Sequence, residues 1–281
     1  MKPNFNNSCG GAFKDTLDIK LTDSCNGNCK FCIERGGKSS KPANVRDLIE
    51  KVKSIDPRSV LILGGEPFLY PKLAEFLEGI SGRQIFITTN GSKLKDKRLI
   101  KSVSPYLTAV NISIMHFGME KHFEISGIRI NPIDIKESIS ILKEHCVSVR
   151  INTILLKSYL DNKNDCDTMI EFAKWLNVND IRFSEVQNYP DMFVDAKIIF
   201  KGLNKNPYVE GCEQKISENG INVFIKQTCS LVNNKKKDGL KYLSDGCGKG
   251  CLYLKEGVLY PDLAYSKSGW LKNGANEFSC Q

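Results

Sequence analysis

The strongest constraint on this chain is a rhythm. Six apolar runs with strand character, residues 17–22, 59–64, 84–89, 108–114, 147–156 and 180–186, alternate with helix-spaced segments at 43–56, 71–80, 93–103, 132–144 and 165–176. The last segment sets Met169, Ile170, Phe172, Ala173 and Leu176 in one apolar stripe, as a helix lying on a core requires. Strands alternating with helices form parallel pairs joined by right-handed crossovers. The fold class is therefore α/β, either an open doubly wound sheet or a complete or partial barrel. In both, ligand chemistry belongs at the carboxyl ends of the strands. A length of 281 residues allows one full-sized core with a small appendage. We expect an N-terminal segment 1–15, a core 16–190 and, where the rhythm fades, a loop-rich region 191–281.

The residues with chemical potential gather at those strand ends. The first run leads into "CNGNCKFC", which holds Cys25, Cys29 and Cys32; the second into "GGEP", Gly64 to Pro67; the third ends in "TTNG", Thr88 to Gly91. The chain has no apolar run of membrane-spanning length, and its opening "MKPNFNNSCGGAFKD" has no secretory pattern. It is expected to be cytoplasmic, where thiols stay reduced and eleven cysteines favour metal ligation over disulfides. The net charge of +8 is spread out, and its only short run, Lys235 to Lys237, reads as a solvated loop. There is no strong nucleic-acid signal. Three closely spaced thiolates can hold zinc, which wants a fourth ligand. They can equally hold an iron–sulfur cubane, three of whose irons they ligate, leaving the fourth open.

The Cys-x3-Cys-x2-Cys spacing after a first strand, with Phe31 before the third cysteine, resembles the signature of the radical S-adenosylmethionine (SAM) enzymes. "LILGGEP" resembles the same family's Gly-Gly-Glu-Pro element. The resemblance implies a [4Fe-4S] cluster on Cys25, Cys29 and Cys32, whose open iron is chelated by the amino and carboxylate groups of SAM. An electron from a flavodoxin- or ferredoxin-type reductant then cleaves SAM to a 5′-deoxyadenosyl radical, which abstracts hydrogen from substrate. Gly64, Gly65, Glu66 and Pro67 would seat the SAM amino group, because glycines allow close backbone approach and carbonyls with one carboxylate suit an ammonium. The resemblance places Thr88, Thr89 and Asn90 near SAM, Ser113 and Asn152 on its ribose or carboxylate, and the backbone of "IRFSEV" at adenine. Each could instead be a strand-end residue satisfying local backbone. The implied fold is a partial, TIM-like (β/α)6 barrel.

A second cysteine group, Cys212, Cys229, Cys247, Cys251 and Cys280, follows the barrel segment. "CGKGCLYLKEGVLYPD" resembles the hairpin of SPASM or twitch extensions, which carry an auxiliary cluster; it keeps Gly257 but has Asp262 where the pattern has cysteine. Asp262 could be an oxygen ligand beside Cys229, Cys247 and Cys251. Alternatively the ligands are all cysteines, with Cys212 or Cys280 or an iron left open, or the hairpin holds no cluster. Cys9, Cys146 and Cys166 are assigned to packing or to no role. His145 is expected at a helix C-terminus. His116, after the fourth strand, and Glu185 and Gln187, after the sixth, are candidates for substrate contact or proton relay at the barrel mouth.

These readings converge on a radical SAM enzyme of the branch that includes the GTP cyclase of molybdopterin synthesis and the SPASM/twitch peptide-modifying enzymes. The expected substrate is a small molecule, such as a nucleoside or sugar in specialised biosynthesis; the alternative is a ribosomally made peptide. Two departures count against the molybdopterin activity itself: the chain ends "NEFSCQ" rather than in paired glycines, and a Cys-x3-Cys replaces Cys-x2-Cys. The lack of a long N-terminal extension argues against a leader-binding domain. From other classes, a non-catalytic iron–sulfur protein for electron transfer or redox sensing would not need "GGEP". A zinc-stabilised basic nucleic-acid binder would show steep salt dependence.

Overall fold

The computed structural model describes residues 16–32, 44–187, 189–203, 213–218, 220–227, 252–255 and 258–261. The six apolar runs are strands: β1 (Thr16–Lys20), β2 (Ser59–Leu63), β3 (Gln84–Thr89), β4 (Ala109–Ser113), β5 (Ser148–Leu155) and β6 (Asp180–Glu185). They lie side by side in chain order, all parallel. A strand order that never reverses builds a barrel wall, whereas a doubly wound sheet switches direction partway.

The crossovers are α1 (Val45–Ile55), α2 (Leu73–Gly79), α3 (Lys97–Val103), the pair α4 (Met119–Ser126) and α5 (Pro132–Glu144), and α6 (Lys163–Trp175). Short polar side chains start most of them. Asn44, Asp96, Asn131 and Asn162 each accept a hydrogen bond from a first-turn N–H, meeting donors that the helix itself leaves unpaired. His145 is the C-cap residue of α5. Cys166 is buried in α6, a packing role. Cys146 is exposed, at a φ of 59° in the turn from α5 to β5, and is not a member of the core.

The two faces of the wall are chemically different. Val60, Ile62, Ile85, Ile87, Ile181 and Phe183 are fully buried and form one core with Val52, Phe76, Ile100, Ile139 and Met169 of the helices. The alternate residues Leu61, Phe86, Thr88, Ser113, Arg182 and Ser184 keep partial exposure. A parallel sheet covered on both faces would read as apolar throughout. Here the helices cover one face, and the other lines the barrel interior.

Two antiparallel hairpins extend the wall. β7 (Glu213–Glu218) and β8 (Ile221–Lys226) join through β8 alongside β6; β9 (Leu252–Lys255) and β10 (Val258–Pro261) join through β9 alongside β1. Among the described residues β7 and β10 are the two ends of the sheet, so the barrel is partial. The expected loop-rich region thus contributes four strands, the last two being the hairpin read from "LYLKEGVLYP".

Candidate active site

Two strand-end loops are stacked backbone to backbone. The N–H of Gly65 donates to the carbonyl of Thr22 at 2.7 Å, and that of Glu66 to Ser24 at 2.8 Å. A Cβ on Gly64, whose φ is +141°, would lie 2.4 Å from the Thr22 oxygen, and one on Gly65 2.2 Å from the Ser24 oxygen. These glycines are needed for contact with the cysteine loop as well as for any ligand. Their own carbonyls accept no hydrogen bond from the described residues. They remain available beside the cysteines.

Glu66 is fully buried. One carboxylate oxygen accepts from Phe68 N at 3.0 Å and Thr89 Oγ1 at 2.7 Å, and the other from Asn90 N at 2.6 Å. Burial raises its pKa, and the bonds from Asn90, Thr89 and Phe68 oppose the rise. The carboxylate therefore ties the end of β3 to the loop after β2. Asn90 continues the link: its Nδ2 donates to Asn26 Oδ1 at 3.0 Å and lies 3.9 Å from Cys25 Sγ. Pro67 begins a buried turn of 3-10 helix.

The cysteine loop rests on the end of α4. The last-turn carbonyls of a helix have no partner within it. Those of Ile125 and Ser126 accept from Lys30 N at 2.9 Å and Asn28 N at 2.8 Å, and the Cys29 thiol lies 3.7 Å from the Ser126 oxygen. Gly127, with φ +69°, ends the helix where a Cβ would meet Asn28 N at 3.1 Å. Lys30 reaches out to Glu124 at 2.9 Å and to the Tyr159 hydroxyl at 2.5 Å, and that hydroxyl donates to Glu124. Tyr189 donates to the Cys32 carbonyl at 2.7 Å. Phe31 packs with Met115, Ile125, Leu156 and Val186 in a separate apolar cluster at the mouth. None of the three is in a disulfide among the described residues, and Cys25 is exposed while Cys29 and Cys32 are partly so, a donor set suited to iron.

The interior wall is polar. Ser113 and Asn152 are register partners, and Asn152, 7% exposed, has an Oδ1 with no hydrogen bond. Thr88 accepts from Asn111, which in turn accepts from Arg150 Nε at 3.0 Å. Arg150 and Arg182 share Glu213 of β7, at 3.5 and 3.3 Å. Burial, then the neighbouring Arg182, push the Arg150 guanidinium down to about 9, against the pull of Glu213 and Asp180. It stays charged at neutral pH. Sequence reasoning passed over both arginines and Glu213, although two-residue alternation puts Arg150 in the row of Thr88 and Asn111.

Two expected mouth residues are buried. Glu185 shares the helix-facing row with Ile181 and Phe183, and its carboxylate accepts from Ala196 N at 2.9 Å, at the start of the short helix α7 (Ala196–Ile199). His116 is 1% exposed, and its Nδ1 accepts from Gly118 N at 2.8 Å. Burial, with Lys121, lowers its pKa. Its neighbour Met115 is the residue that joins Phe31. Gln187 is half-buried. Cys212, Cys229, Cys247, Cys251, Asp262 and Cys280 lie outside the described residues.

A thiol triplet held against a two-glycine loop, at the mouth of a six-stranded partial barrel, marks a class of iron–sulfur enzymes. Residues 19–173, from β1 into α6, match the radical SAM superfamily, and the chain belongs to it. It is an enzyme of radical SAM chemistry. It is 31% identical over 277 residues to a GTP 3′,8-cyclase of Clostridium perfringens (strain SM101 / Type A), covering 87% of this chain and 82% of that one. A GTP 3′,8-cyclase of Aquifex aeolicus (strain VF5) is 25% identical over 217 residues, 68% of this chain and 67% of the relative. In architecture the chain is similar to Streptococcus suis SuiB bound to S-adenosylmethionine, with a TM-score of 0.54 at 20% identity over 68% of this chain. It spans 44% of SuiB's length. None of the described helices is long and apolar enough to cross a membrane.

Proposed function

We propose that Cys25, Cys29 and Cys32 hold a [4Fe-4S] cluster, that the carbonyls of Gly64 and Gly65 receive the amino group of SAM, and that the substrate is a small nucleotide-like molecule. The observation that carries this reading is the docking of the two strand-end loops. It brings the two-glycine loop against the loop of the three cysteines and leaves the Glu66 carboxylate as an internal strut. When bound, the cluster supplies the electron that splits SAM to a 5′-deoxyadenosyl radical. The chain's own part is to bind, orient and keep water out. Ser113 and Asn152 Oδ1, which has no hydrogen bond among the described residues, would meet hydroxyl or amino groups of SAM, and Phe31 with its apolar neighbours would shield the cysteine loop. Arg150 and Arg182 share the single carboxylate of Glu213, and Arg182, the partly exposed one of the two, supports a substrate with acidic oxygens. The similarity to GTP 3′,8-cyclases favours GTP as the first substrate to test. An auxiliary cluster on Cys229, Cys247 and Cys251, with Asp262, Cys212 or Cys280, completes the proposal, and a flavodoxin- or ferredoxin-type protein is the proposed reductant.

Anaerobically reconstituted protein given dithionite and SAM should form 5′-deoxyadenosine above a protein-free blank, and Cys29→Ala should abolish it. Addition of GTP should raise the yield and consume nucleotide, with guanosine less effective. Deoxyadenosine formation that no nucleotide stimulates would overturn the substrate assignment. About eight irons per chain would support two cubanes, and about four would dismiss the auxiliary site.

A further inference from the structure

We infer that His122 is a positioning residue for the cysteine loop, acting through Ser126 on Cys29. The inference rests on the cluster placement proposed above. His122 is 1% exposed on the buried side of α4, and its two ring nitrogens face different partners. Nδ1 lies 3.1 Å from the backbone nitrogen of Met115. That N–H can only donate, so Nδ1 is an acceptor and carries no proton. The ring proton is then on Nε2, which faces Ser126 Oγ at 3.3 Å and donates to it. Ser126 Oγ in turn donates to the His122 carbonyl at 2.7 Å and accepts from Ile128 N at 3.1 Å. With its proton and both lone pairs engaged, the hydroxyl fixes the turn that runs from residue 126 to residue 128.

That turn is the seat of the cysteine loop. The carbonyl of Ser126 holds Asn28 and that of Ile125, just before the turn, holds Lys30; Ser126 is also the residue whose carbonyl faces the Cys29 thiol. Ile128 also lies against the cysteine loop, since a Cβ on Gly27 would come within 2.8 Å of its Cδ1. At the other end of the ring, Met115 packs with Phe31. One neutral imidazole therefore braces both the backbone around Cys29 and the apolar cluster around Phe31. A histidine serving α4 alone would affect melting but not the environment of the iron.

The test compares full-length wild type with His122→Asn, His122→Gln, Ser126→Ala and, as a benchmark, Cys29→Ala. Asn retains an acceptor near Nδ1 and loses the donor to Ser126; Gln retains that donor. Hydrogen exchange over residues 25–32 is measured before iron is added. Iron content, the EPR spectrum of the reduced cluster and its midpoint potential are measured after reconstitution. His122→Asn and Ser126→Ala should exchange the amides of Asn28 and Lys30 about tenfold faster and shift both spectrum and potential, while His122→Gln stays near wild type. Wild-type exchange, spectrum and potential in both His122→Asn and Ser126→Ala would overturn the inference. Ser126→Ala removes a single oxygen and carries the test if changes at 122 prevent folding. If wild type takes up no more iron than Cys29→Ala, the cluster placement fails, and the exchange measurement alone decides the role of His122.

Discussion

Hydrogen is the only substituent that Gly65 tolerates, because the space a methyl group would fill is occupied by the backbone of Ser24. Gly65→Ala should cost about 1–3 kcal/mol, as overpacking does, with iron uptake falling alongside the denaturation midpoint. His122 offers a second measurement at this scale. Burial, and more weakly the charge on His116, push its pKa from 6.5 to about 4. Between those values the unfolded chain binds a proton that the folded chain does not, so stability rises with pH across that window. It is complete above the unfolded value and lost as pH falls through the folded one. The gap corresponds to about 3 kcal/mol, and urea titrations from pH 4 to 7 should show a component that His122→Gln lacks. The cysteine triplet and the glycine pair were legible because their residue types and spacing are rare. Glu185 was read onto the wrong face, although its parity with Ile181 and Phe183 would have placed it against the helices. His122 gave no signal, since a histidine's value depends on which groups meet its two nitrogens.

Among the elements, β7 has an unexpected function: its first residue, Glu213, supplies the carboxylate shared by Arg150 and Arg182. Arg150 is 3% exposed, so loss of that charge leaves a buried cation poorly compensated. Glu213→Gln should cost about 3 kcal/mol, read as a lowered urea midpoint with an unchanged slope. Strands and crossover helices were found to within a few residues because burial of one face imposes a period of two or 3.6. The elements overlooked lack that contrast. The buried side of α4 includes His122 and Ser126, so its eight residues carry too few apolar positions, and only the Gly127 stop marked it. β7, "EQKISE", is polar at most positions, and its pairing depends on a distant edge that local pattern does not contain.

Over the whole molecule, the core lies between the sheet and its helices, and none of its members is one of the three loop cysteines. Iron on the loop cysteines should therefore be dispensable for the fold of the described barrel. Chelation under anaerobic conditions is expected to leave the far-UV circular dichroism unchanged while exchange increases over residues 25–32 and SAM cleavage stops; collapse of the spectrum would contradict this. The pairing of β9 with β1 has a further consequence for how the chain is made. Leu17 of β1 pairs with Leu252 of β9, 235 positions later in the sequence. One margin of β1 must wait, bare of its neighbour, while nearly everything between is translated. During that interval it is a row of unanswered amides and carbonyls open to any passing extended segment, and the late arrival of a four-residue strand ends that exposure.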